Sequence, residues 1–190
     1  MRITGGEFSG RRIVAPRGSA TRPTTDKVRA AMFNILRHAD FAPPLQGARI
    51  LDAFAGSGAL GLEAASHGAS FVLFVDVSAT ARAAIRANVE ALGLGGMSRI
   101  WRRDATRMGR CAPMRPFDVA FLDPPYGKGL GEAALVALAS GGWLKSGALV
   151  ALEESGKARI VPPQGFEAVD GRAYGGTRVH FLRWRSRGDP

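Results

Sequence analysis

The sequence predicts an α/β fold in which a mostly parallel sheet is covered by helices on both faces. Apolar runs of strand length alternate with longer helical stretches between residues 48 and 152, and repeated strand–helix units are typical of parallel sheets. Two further strand-like runs, residues 166–169 and 177–184, follow with no helix between them. They predict an antiparallel hairpin at the sheet edge. The 190 residues, 46% of them hydrophobic, suffice for one such domain.

The elements of the core follow from short apolar runs and from the turn residues that interrupt them. Five strands are predicted at residues 48–54, 71–75, 98–102, 117–122 and 148–152. Three helices are predicted at residues 59–67, 79–92 and 130–139. Gly68 ends the first helix and residues 93–96 break the second. Together with the two terminal runs, these strands make seven.

Residues 1–44 are predicted to form a small extension ahead of a larger domain at residues 45–190. Residues 2–8 and 11–15 flank Ser9-Gly10 in the manner of a hairpin, and residues 24–38 form a predicted helix. Thr24 or Thr25 caps that helix, and Pro43-Pro44 marks the joint to the domain.

The positive charge of the chain is concentrated in its N-terminal fifth. Residues 1–37 carry eight arginines and lysines against Glu7 and Asp26, a balance of +6 within a net charge of +10. Such clustering favours a polyanionic partner; the alternative is a solvated face of an arginine-rich chain. We predict RNA-binding contacts at Arg11, Arg12, Arg22, Thr24 and Arg29, with Arg22 and Thr24 also bordering the active site. A second basic group, Arg183, Arg185 and Arg187, reads more simply as a solvated tail.

Several function classes are disfavoured by composition. Cys111 is the single cysteine, and His38, His67 and His180 lack the spacing of metal ligands. We therefore expect neither a disulfide nor a metal site. No apolar run has the length of a membrane span, and no signal-like segment opens the chain. We expect a cytoplasmic monomer.

A glycine motif follows the first predicted strand. Residues 56–61 match G-x-G-x-x-G, and Asp76 stands twenty residues beyond Gly56, where an acid can hold ribose hydroxyls. The motif alone fits an NAD enzyme or an S-adenosylmethionine enzyme. Asp52 favours the second, because a carboxylate there repels a pyrophosphate and attracts a cationic methionine group. Asp104 ends the third strand and either contacts the adenine amino group or caps the following helix.

The fourth strand ends in Asp123-Pro124-Pro125-Tyr126, a turn whose side chains and carbonyls indicate the kind of substrate that it binds. The Asp123 carboxylate and the Pro124 carbonyl each accept one N–H, and two prolines stiffen the turn. The Tyr126 ring offers a stacking surface. The turn therefore suits a planar substrate with an exocyclic amino group, such as a nucleobase.

The glycine motif and this turn together resemble the class I S-adenosylmethionine-dependent amino-methyltransferases, whose Rossmann-like fold is a seven-stranded sheet with an antiparallel last strand. The run Arg22-Pro23-Thr24-Thr25-Asp26-Lys27-Val28-Arg29, with Phe33-Asn34-Ile35-Leu36, is similar to the bacterial RsmD family. The resemblance implies cofactor contacts at Asp52, Phe54, Gly56, Ser57, Gly58, Asp76, Asp104, Ala105 and Asp123. It implies catalytic roles for Asp123, Pro124 and Tyr126.

The same resemblance implies the reaction. The RsmD family transfers a methyl group from S-adenosylmethionine to N2 of a guanine in 16S rRNA, at position 966, within the 30S subunit or an assembly intermediate. Two departures stand out: Asp76 occupies a position where the family often has glutamate, and Ala30-Ala31 replaces a commonly acidic position.

Three other functions stay open at this point. A DNA or other RNA amino-methyltransferase shares the acceptor turn, although 190 residues leave little room for reading a duplex. An NAD-dependent oxidoreductase shares the glycine loop. A non-catalytic RNA-binding protein on the same fold is the third, but it does not need the intact turn.

Overall fold

The computed structural model describes residues 1–16 and 25–186, which contain a seven-stranded sheet and four α-helices. The strands are β1 (Arg49–Ala53), β2 (Phe71–Val75), β3 (Ser98–Trp101), β4 (Phe117–Leu122), β5 (Leu144–Ser155), β6 (Phe166–Tyr174) and β7 (Thr177–Trp184). The helices are α1 (Asp26–His38), α2 (Ala59–Ser66), α3 (Ala79–Ala91) and α4 (Leu130–Ser140). None of the helices in these residues is long and apolar enough to cross a membrane.

The strand order is β3-β2-β1-β4-β5-β7-β6. Strands β1 to β5 pair in parallel, and β7 is antiparallel to both β5 and β6. Strand β6 therefore points the same way as the parallel strands, and in the described residues β7 alone is reversed. The predicted fold class is confirmed, including the reversed last strand.

Two strands are longer than predicted. Strand β5 continues past Leu152 through Glu153 and Glu154, which are buried and pair with β7. Strand β6 continues past residue 169 because an irregularity between Ala168 and Asp170 shifts its register against β7 and lets pairing resume. Both predicted strands ended with their apolar runs: two charged residues follow the run of β5, and a bulge follows that of β6.

The predicted N-terminal hairpin is present with shorter strands and a wider turn than predicted. Only Arg2 and Arg12 form a β-bridge, and residues 5–10 make a wide turn instead of a tight one at Ser9-Gly10. The backbone of this turn bonds to α2: Glu7 N donates to the Ser66 carbonyl at 2.8 Å. Gly6 lies so close that a Cβ there would stand 2.0 Å from that same oxygen. Strand pairing is short: Ile3 N donates to the Arg11 carbonyl at 3.0 Å and Ile13 N to the Met1 carbonyl at 3.2 Å, and the turn between the two arms packs on α2.

Alternate residues of the sheet point to opposite faces, and each face has its own buried cluster. Ile50 and Phe121 face the side that α1, α2 and α3 cover, whereas Leu51 and Leu122 face α4. Both clusters are closed to solvent. Helices on both faces hold the parallel strands so that their carboxyl ends lie at one edge, where ligands of such sheets bind.

The N-terminal segment shares this core. Ile3, Ile13 and Phe33 belong to the same buried cluster as the sheet residues. Thr25 caps α1, since its hydroxyl accepts a hydrogen bond from Val28 N at 3.3 Å; the other predicted cap, Thr24, lies outside the described residues. The division at residue 44 stays a prediction, but the two parts pack directly against each other.

Candidate functional site

The carboxyl ends of three neighbouring strands bring three aspartates together. Asp52 is near the end of β1, Asp76 directly follows β2, and Asp123 directly follows β4. Strand β1 lies between β2 and β4 in the sheet. Parallel strands therefore concentrate negative charge at one point of the sheet edge, and such a site favours a cationic ligand.

The glycine motif forms the loop between β1 and α2. Gly56 and Gly58 have φ angles of 56° and 78°, which glycine adopts without a steric penalty. Phe54 also has a positive φ, 60°, and it is the one non-glycine residue with this conformation in the described chain. A bulky residue held in this region indicates strain of the kind found at functional sites.

The third glycine of the motif has a packing role. A Cβ on Gly61 would lie 2.4 Å from Phe74 Cε1 and 2.8 Å from Val72 Cγ1. Both atoms belong to β2, so any larger residue would push α2 away from the sheet. Gly61 lets the helix lie close to the strand, as the dinucleotide-binding fingerprint requires.

Asp52 lies beneath the glycine loop. It is 1% exposed, and its Oδ2 accepts a hydrogen bond of 2.9 Å from Gly61 N. Burial raises the pKa of this carboxyl well above its ordinary value; the Gly61 N–H opposes the rise, and the charges of Asp123 and Asp76 add to it. The ionised form is therefore held at a free-energy penalty that a nearby cation would reduce.

Replacing Asp52 with asparagine is expected to stabilise the protein at neutral and higher pH. The folded pKa lies above the unfolded one, so the wild-type fold loses stability as pH rises through the interval between them. Asparagine retains an oxygen for Gly61 N but does not ionise. Thermal unfolding from about pH 5 to about pH 8 should show an advantage of the variant that grows with pH, and titration should show weaker S-adenosylhomocysteine binding. A pH-independent difference in stability would contradict this role.

Asp76 fastens the glycine loop to β2. Its Oδ2 accepts from Gly56 N and its Oδ1 accepts from Ser78 N, both at 2.8 Å. A carboxylate has about four acceptor positions, so these two bonds leave capacity for a ligand hydroxyl. The contact to a ribose stays a prediction.

Asn88 is a site residue that no sequence motif indicated. Its side chain is buried and donates to the carbonyls of Ser57, at 2.9 Å, and Val14, at 3.0 Å. Its Oδ1 accepts from Val14 N at 2.8 Å. Asn88 on α3 thus joins the glycine loop to the N-terminal segment. The one signal in the sequence was an amide on the apolar face of a helix, which predicts a buried partner without naming it.

Asp104 caps a short 3₁₀ turn, Ala105–Arg107. Its Oδ1 accepts from Thr106 N at 2.8 Å and from the Thr106 hydroxyl at 2.7 Å. These bonds from Thr106 lower the pKa of Asp104. Of the two roles predicted for Asp104, the structure shows the cap, and the adenine contact stays a prediction. Ala105 is buried against the core.

The turn at residues 123–126 is held by β5 and β7. Asp123 is half-buried, Pro124 is buried and Pro125 is exposed. Tyr126 is 40% exposed, and its hydroxyl donates to Glu153 Oε1 at 2.7 Å and lies 3.1 Å from Thr177 Oγ1. Burial and the Glu153 bond raise the pKa of Tyr126 above its ordinary value, so the phenol is neutral. The ring is fixed at its hydroxyl end and open to solvent.

Two buried glutamates that the predicted end of β5 excluded belong to this site. Glu153 holds Tyr126, and Glu154 accepts from Gly127 N at 3.1 Å. Both are at most 3% exposed. Two consecutive acids after a buried strand were the available signal.

The predicted RNA contacts divide into three groups. Arg11 and Arg12 are exposed, and Arg11 Nη2 donates to the Ala91 carbonyl at 2.7 Å. Arg22 and Thr24 lie outside the described residues. The prediction for Arg29 is wrong, because its side chain is 0% exposed and its Nε pairs with Glu63 Oε2 at 2.9 Å.

Glu63 is the centre of a buried network. It accepts hydrogen bonds from Arg29 Nε, from Thr4 N and Oγ1, and from Gly5 N, between 2.7 and 3.0 Å. Arg29 also donates to the Arg2 carbonyl and to Asp26. Arg29 therefore fastens the N-terminal segment to α2 and has no surface to offer an RNA phosphate.

The two C-terminal arginines among the described residues, Arg183 and Arg185, form bonds within the protein. Arg183 Nη2 donates to the Phe41 carbonyl at 2.8 Å, and Arg185 pairs with Glu167 at 2.8 Å. Arg187 lies outside the described residues. Within residues 1–16 and 25–186, no group of three or more His, Cys, Asp or Glu side chains is arranged to bind a metal ion.

Comparison with known proteins gives consistent similarities. The model of a family described as conserved hypothetical protein 95 matches residues 1–183. Ribosomal RNA small subunit methyltransferase D of Escherichia coli K12 is 36% identical over 153 residues, covering 80% of this chain and 74% of the relative. A candidate rRNA methyltransferase of Bacillus subtilis, YlbH, is 41% identical over 128 residues, covering 66% and 67%.

A solved structure shows the same similarity in three dimensions. The structure of yhhF from Escherichia coli, described as a candidate methyltransferase, superposes with a TM-score of 0.82 at 29% identity. The match covers 98% of this chain and 99% of that one.

Proposed function

The chain belongs to the family described as conserved hypothetical protein 95, and from this premise we propose that it is a methyltransferase acting on ribosomal RNA. The resemblance to the RsmD family is confirmed by this match and by the relatives named methyltransferase D. We propose that S-adenosylmethionine is the methyl donor and that N2 of a guanine in 16S rRNA is the acceptor, at position 966 as the family resemblance implies. The observation that carries the proposal is the acceptor turn, whose Asp123 lies with Asp52 and Asp76 at the carboxyl ends of neighbouring strands.

The residues at the strand ends fit S-adenosylmethionine by their chemistry. The ligand has a sulfonium, an ammonium and a carboxylate, and it lacks phosphates. The carboxyl groups of Asp52, Asp76 and Asp123 favour its cations, whose approach favours ionisation of the buried Asp52, and they disfavour a pyrophosphate. Helix α2 begins at Ala59, and its N-cap Gly58 makes no side-chain bond. Gly61 N donates to Asp52, so the N–H groups ahead of Gly61 are the ones that suit the ligand carboxylate. These features support S-adenosylmethionine over NAD.

We assign the parts of the cofactor site accordingly. Gly56 and Gly58 allow close approach of the backbone, and Asp76 would hold the ribose hydroxyls. Asp104 and Ala105 would lie at the adenine. Phe54 and Ser57 complete the loop, and Asp52 contributes charge from beneath it. S-adenosylmethionine, when bound, supplies an electrophilic methyl group on its sulfonium.

The protein's part in the reaction is to orient a weak nucleophile. The N2 lone pair of guanine is delocalised into the ring. The Asp123 carboxylate and the Pro124 carbonyl would each accept one N–H, which favours a pyramidal nitrogen with its lone pair directed outward. Burial of Pro124 holds its carbonyl in place. The two acceptors thus select an amino group and aim it.

Tyr126 would hold the plane of the base. Its ring is open to solvent, and Glu153 and Thr177 hold its hydroxyl. Base stacking on an aromatic ring contributes about 1–3 kcal/mol. A ring fixed in advance loses little conformational entropy when the base arrives. The target guanine would be splayed out of its stack or lie in a loop.

The RNA itself would bind to the basic N-terminal extension, residues 1–44, with the catalytic domain at residues 45–190. We propose a monomer that works in the cytoplasm on the 30S subunit or an assembly intermediate of it. Among the described residues of the extension, the proposed RNA binding depends most directly on the exposed cations Arg11 and Arg12.

The decisive experiment is transfer of labelled methyl groups to 30S particles from a strain that lacks the corresponding methylation, followed by mapping of the modified nucleotide. Label at a guanine N2 of 16S rRNA is expected. Naked 16S rRNA and naked DNA serve as parallel substrates, and label in DNA alone would reject the proposal. Thermal shifts with S-adenosylhomocysteine and with NAD test the cofactor, because a ligand stabilises the fold that binds it.

Reversing the charges of Arg11 and Arg12 to glutamate is expected to weaken RNA binding and to flatten its salt dependence. For single-stranded RNA the log–log salt slope should fall by about 0.7 for each phosphate that the protein no longer neutralises. The matched control is Arg172→Glu with Arg185→Glu, which makes the same change in net charge on the β6–β7 hairpin. Equal slopes for the two variants would place the RNA elsewhere.

A further inference from the structure

A second group of arginines lies at and after β3, the edge strand on the opposite side of the sheet from the β6–β7 hairpin. We call Arg99, Arg102, Arg103, Arg107 and Arg110 the β3-edge arginines. Residues 98–110 contain these five cations and one acid, Asp104, a balance of +4. The +4 of residues 98–110 and the +6 of residues 1–37 together equal the net charge of the whole chain, +10. The rest of the sequence is neutral overall, so the excess charge has two locations.

The β3-edge arginines lack ion-pair partners. All five are exposed, and none takes part in an ion pair of the described residues. The opposite edge differs: Arg172 pairs with Asp170 at 2.9 Å and Arg185 with Glu167 at 2.8 Å. Five cations outnumber the single acid of this segment, Asp104, and repel one another; a bound polyanion would relieve that repulsion.

One member of the group is held in a defined position. The Arg103 guanidinium lies over the Trp101 ring, 5.1 Å from Cζ to the ring centroid, and donates to the Met108 carbonyl. Trp101 is itself fixed by an edge contact with Trp143 at 5.9 Å. An arginine stacked on an aromatic ring keeps its remaining N–H groups free to meet a phosphate in a bidentate manner.

The surface beside this stack is concave. Ile100, Trp101, Arg102 and Arg103 line an open cleft of about 290 Å³. Arg102 and Arg103 directly precede Asp104, at the carboxyl end of β3. Strand β3 neighbours β2, which ends at Val75, directly before Asp76. The cleft therefore lies at the carboxyl ends of the parallel strands, as the acceptor turn does.

We propose that the β3-edge arginines form a second phosphate-binding surface for the rRNA substrate, in addition to the N-terminal extension. This inference rests on the proposed function. The methyl donor does not account for the cluster, because its one anionic group is a carboxylate. A polynucleotide supplies one phosphate per nucleotide and matches a cluster of exposed cations with an excess charge of +4. Contacts to phosphates position the RNA without reading its sequence.

The test is the salt dependence of binding of a 16S rRNA fragment to Arg102→Glu with Arg110→Glu. In residues 1–16 and 25–186 neither side chain makes a hydrogen bond or ion pair, so the reversal breaks no such bond there. The log–log slope should fall by about 1.4 if each of the two arginines neutralises one phosphate, while the Kd of S-adenosylhomocysteine stays unchanged. Arg172→Glu with Arg185→Glu again controls for net charge.

Three results would overturn the inference: a wild-type slope, an equal loss in the control variant, or binding to vesicles of anionic phospholipid in preference to the RNA. Failure of the proposed function looks different. In that case the wild-type protein transfers no methyl group to 30S particles, whatever the arginine variants do. A wild-type protein that methylates 30S particles while the Arg102→Glu, Arg110→Glu variant binds normally would reject the β3-edge surface alone.

Discussion

Replacing Asp123 with alanine is expected to lower the single-turnover rate of methyl transfer on the order of 10²–10³-fold, the loss seen when one preorganised polar group that faces a transition state is removed. Alanine cannot accept an N–H, so the amine is neither oriented nor polarised. The fold should survive. The charge of Asp123 raises the pKa of the buried Asp52, after the larger effect of burial, and its removal relieves a repulsion. This relief opposes any loss of stability, and the melting temperature of the variant is the control for an intact fold.

Two companion variants make this result specific. Asp123→Asn keeps one carbonyl acceptor and should have an intermediate rate. Tyr126→Phe keeps the ring but loses the hydroxyl bonds to Glu153 and Thr177, so it should mainly weaken binding of the RNA substrate. A single-turnover rate of Asp123→Ala equal to that of the wild type, with S-adenosylhomocysteine bound normally, would refute the catalytic role.

Replacing Arg29 with methionine is expected to lower the free energy of unfolding by about 3–5 kcal/mol, because removal of one partner leaves the other buried and unpaired. The partner is Glu63, which is 0% exposed and would be left without the guanidinium of its ion pair. Urea unfolding measures the change. The matched control on the same helix is Arg37→Met, whose exposed side chain should alter stability within about 0.5 kcal/mol.

A double-mutant cycle separates the interaction between Arg29 and Glu63 from other losses of stability. Arg29→Met with Glu63→Leu should be less destabilised than the sum of the single variants, because no charge of the pair is then left buried alone. Additive effects would show that the two residues do not act together. A variant that kept its stability but flattened the salt dependence of RNA binding would restore the phosphate-binding role that the structure denies to Arg29.

The wrong prediction for Arg29 shows which property of a charged residue a sequence pattern does not reveal, namely its partner in the fold. Arg29, Met32, Phe33 and Leu36 follow helical spacing and form one buried stripe of α1. Glu63 stands in α2, all of whose residues are buried. Each charge interrupted an apolar face, so burial was foreseeable in principle. Their pairing was not, because α1 and α2 come into contact only after the chain has folded.

Strands and backbone motifs could be predicted because local chemistry determines them. The length of apolar runs located the parallel strands, and the steric needs of Gly56, Gly58 and Gly61 located the loop. Contacts between distant segments could not be predicted in this way. Asn88 and Glu153 each hold a functional loop through partners at least 27 residues away, and no local pattern encodes such a distance.

The bond between Asn88 and Val14 has a consequence for exchanging parts between proteins of this family. Asn88 contacts the backbone N–H and carbonyl of Val14, and the valine side chain is exposed. Position 14 can therefore change freely in sequence, with proline as the exception because it lacks the N–H. A chimera can take its N-terminal segment from a distant relative and still seat the glycine loop, provided that an asparagine on the third helix is retained.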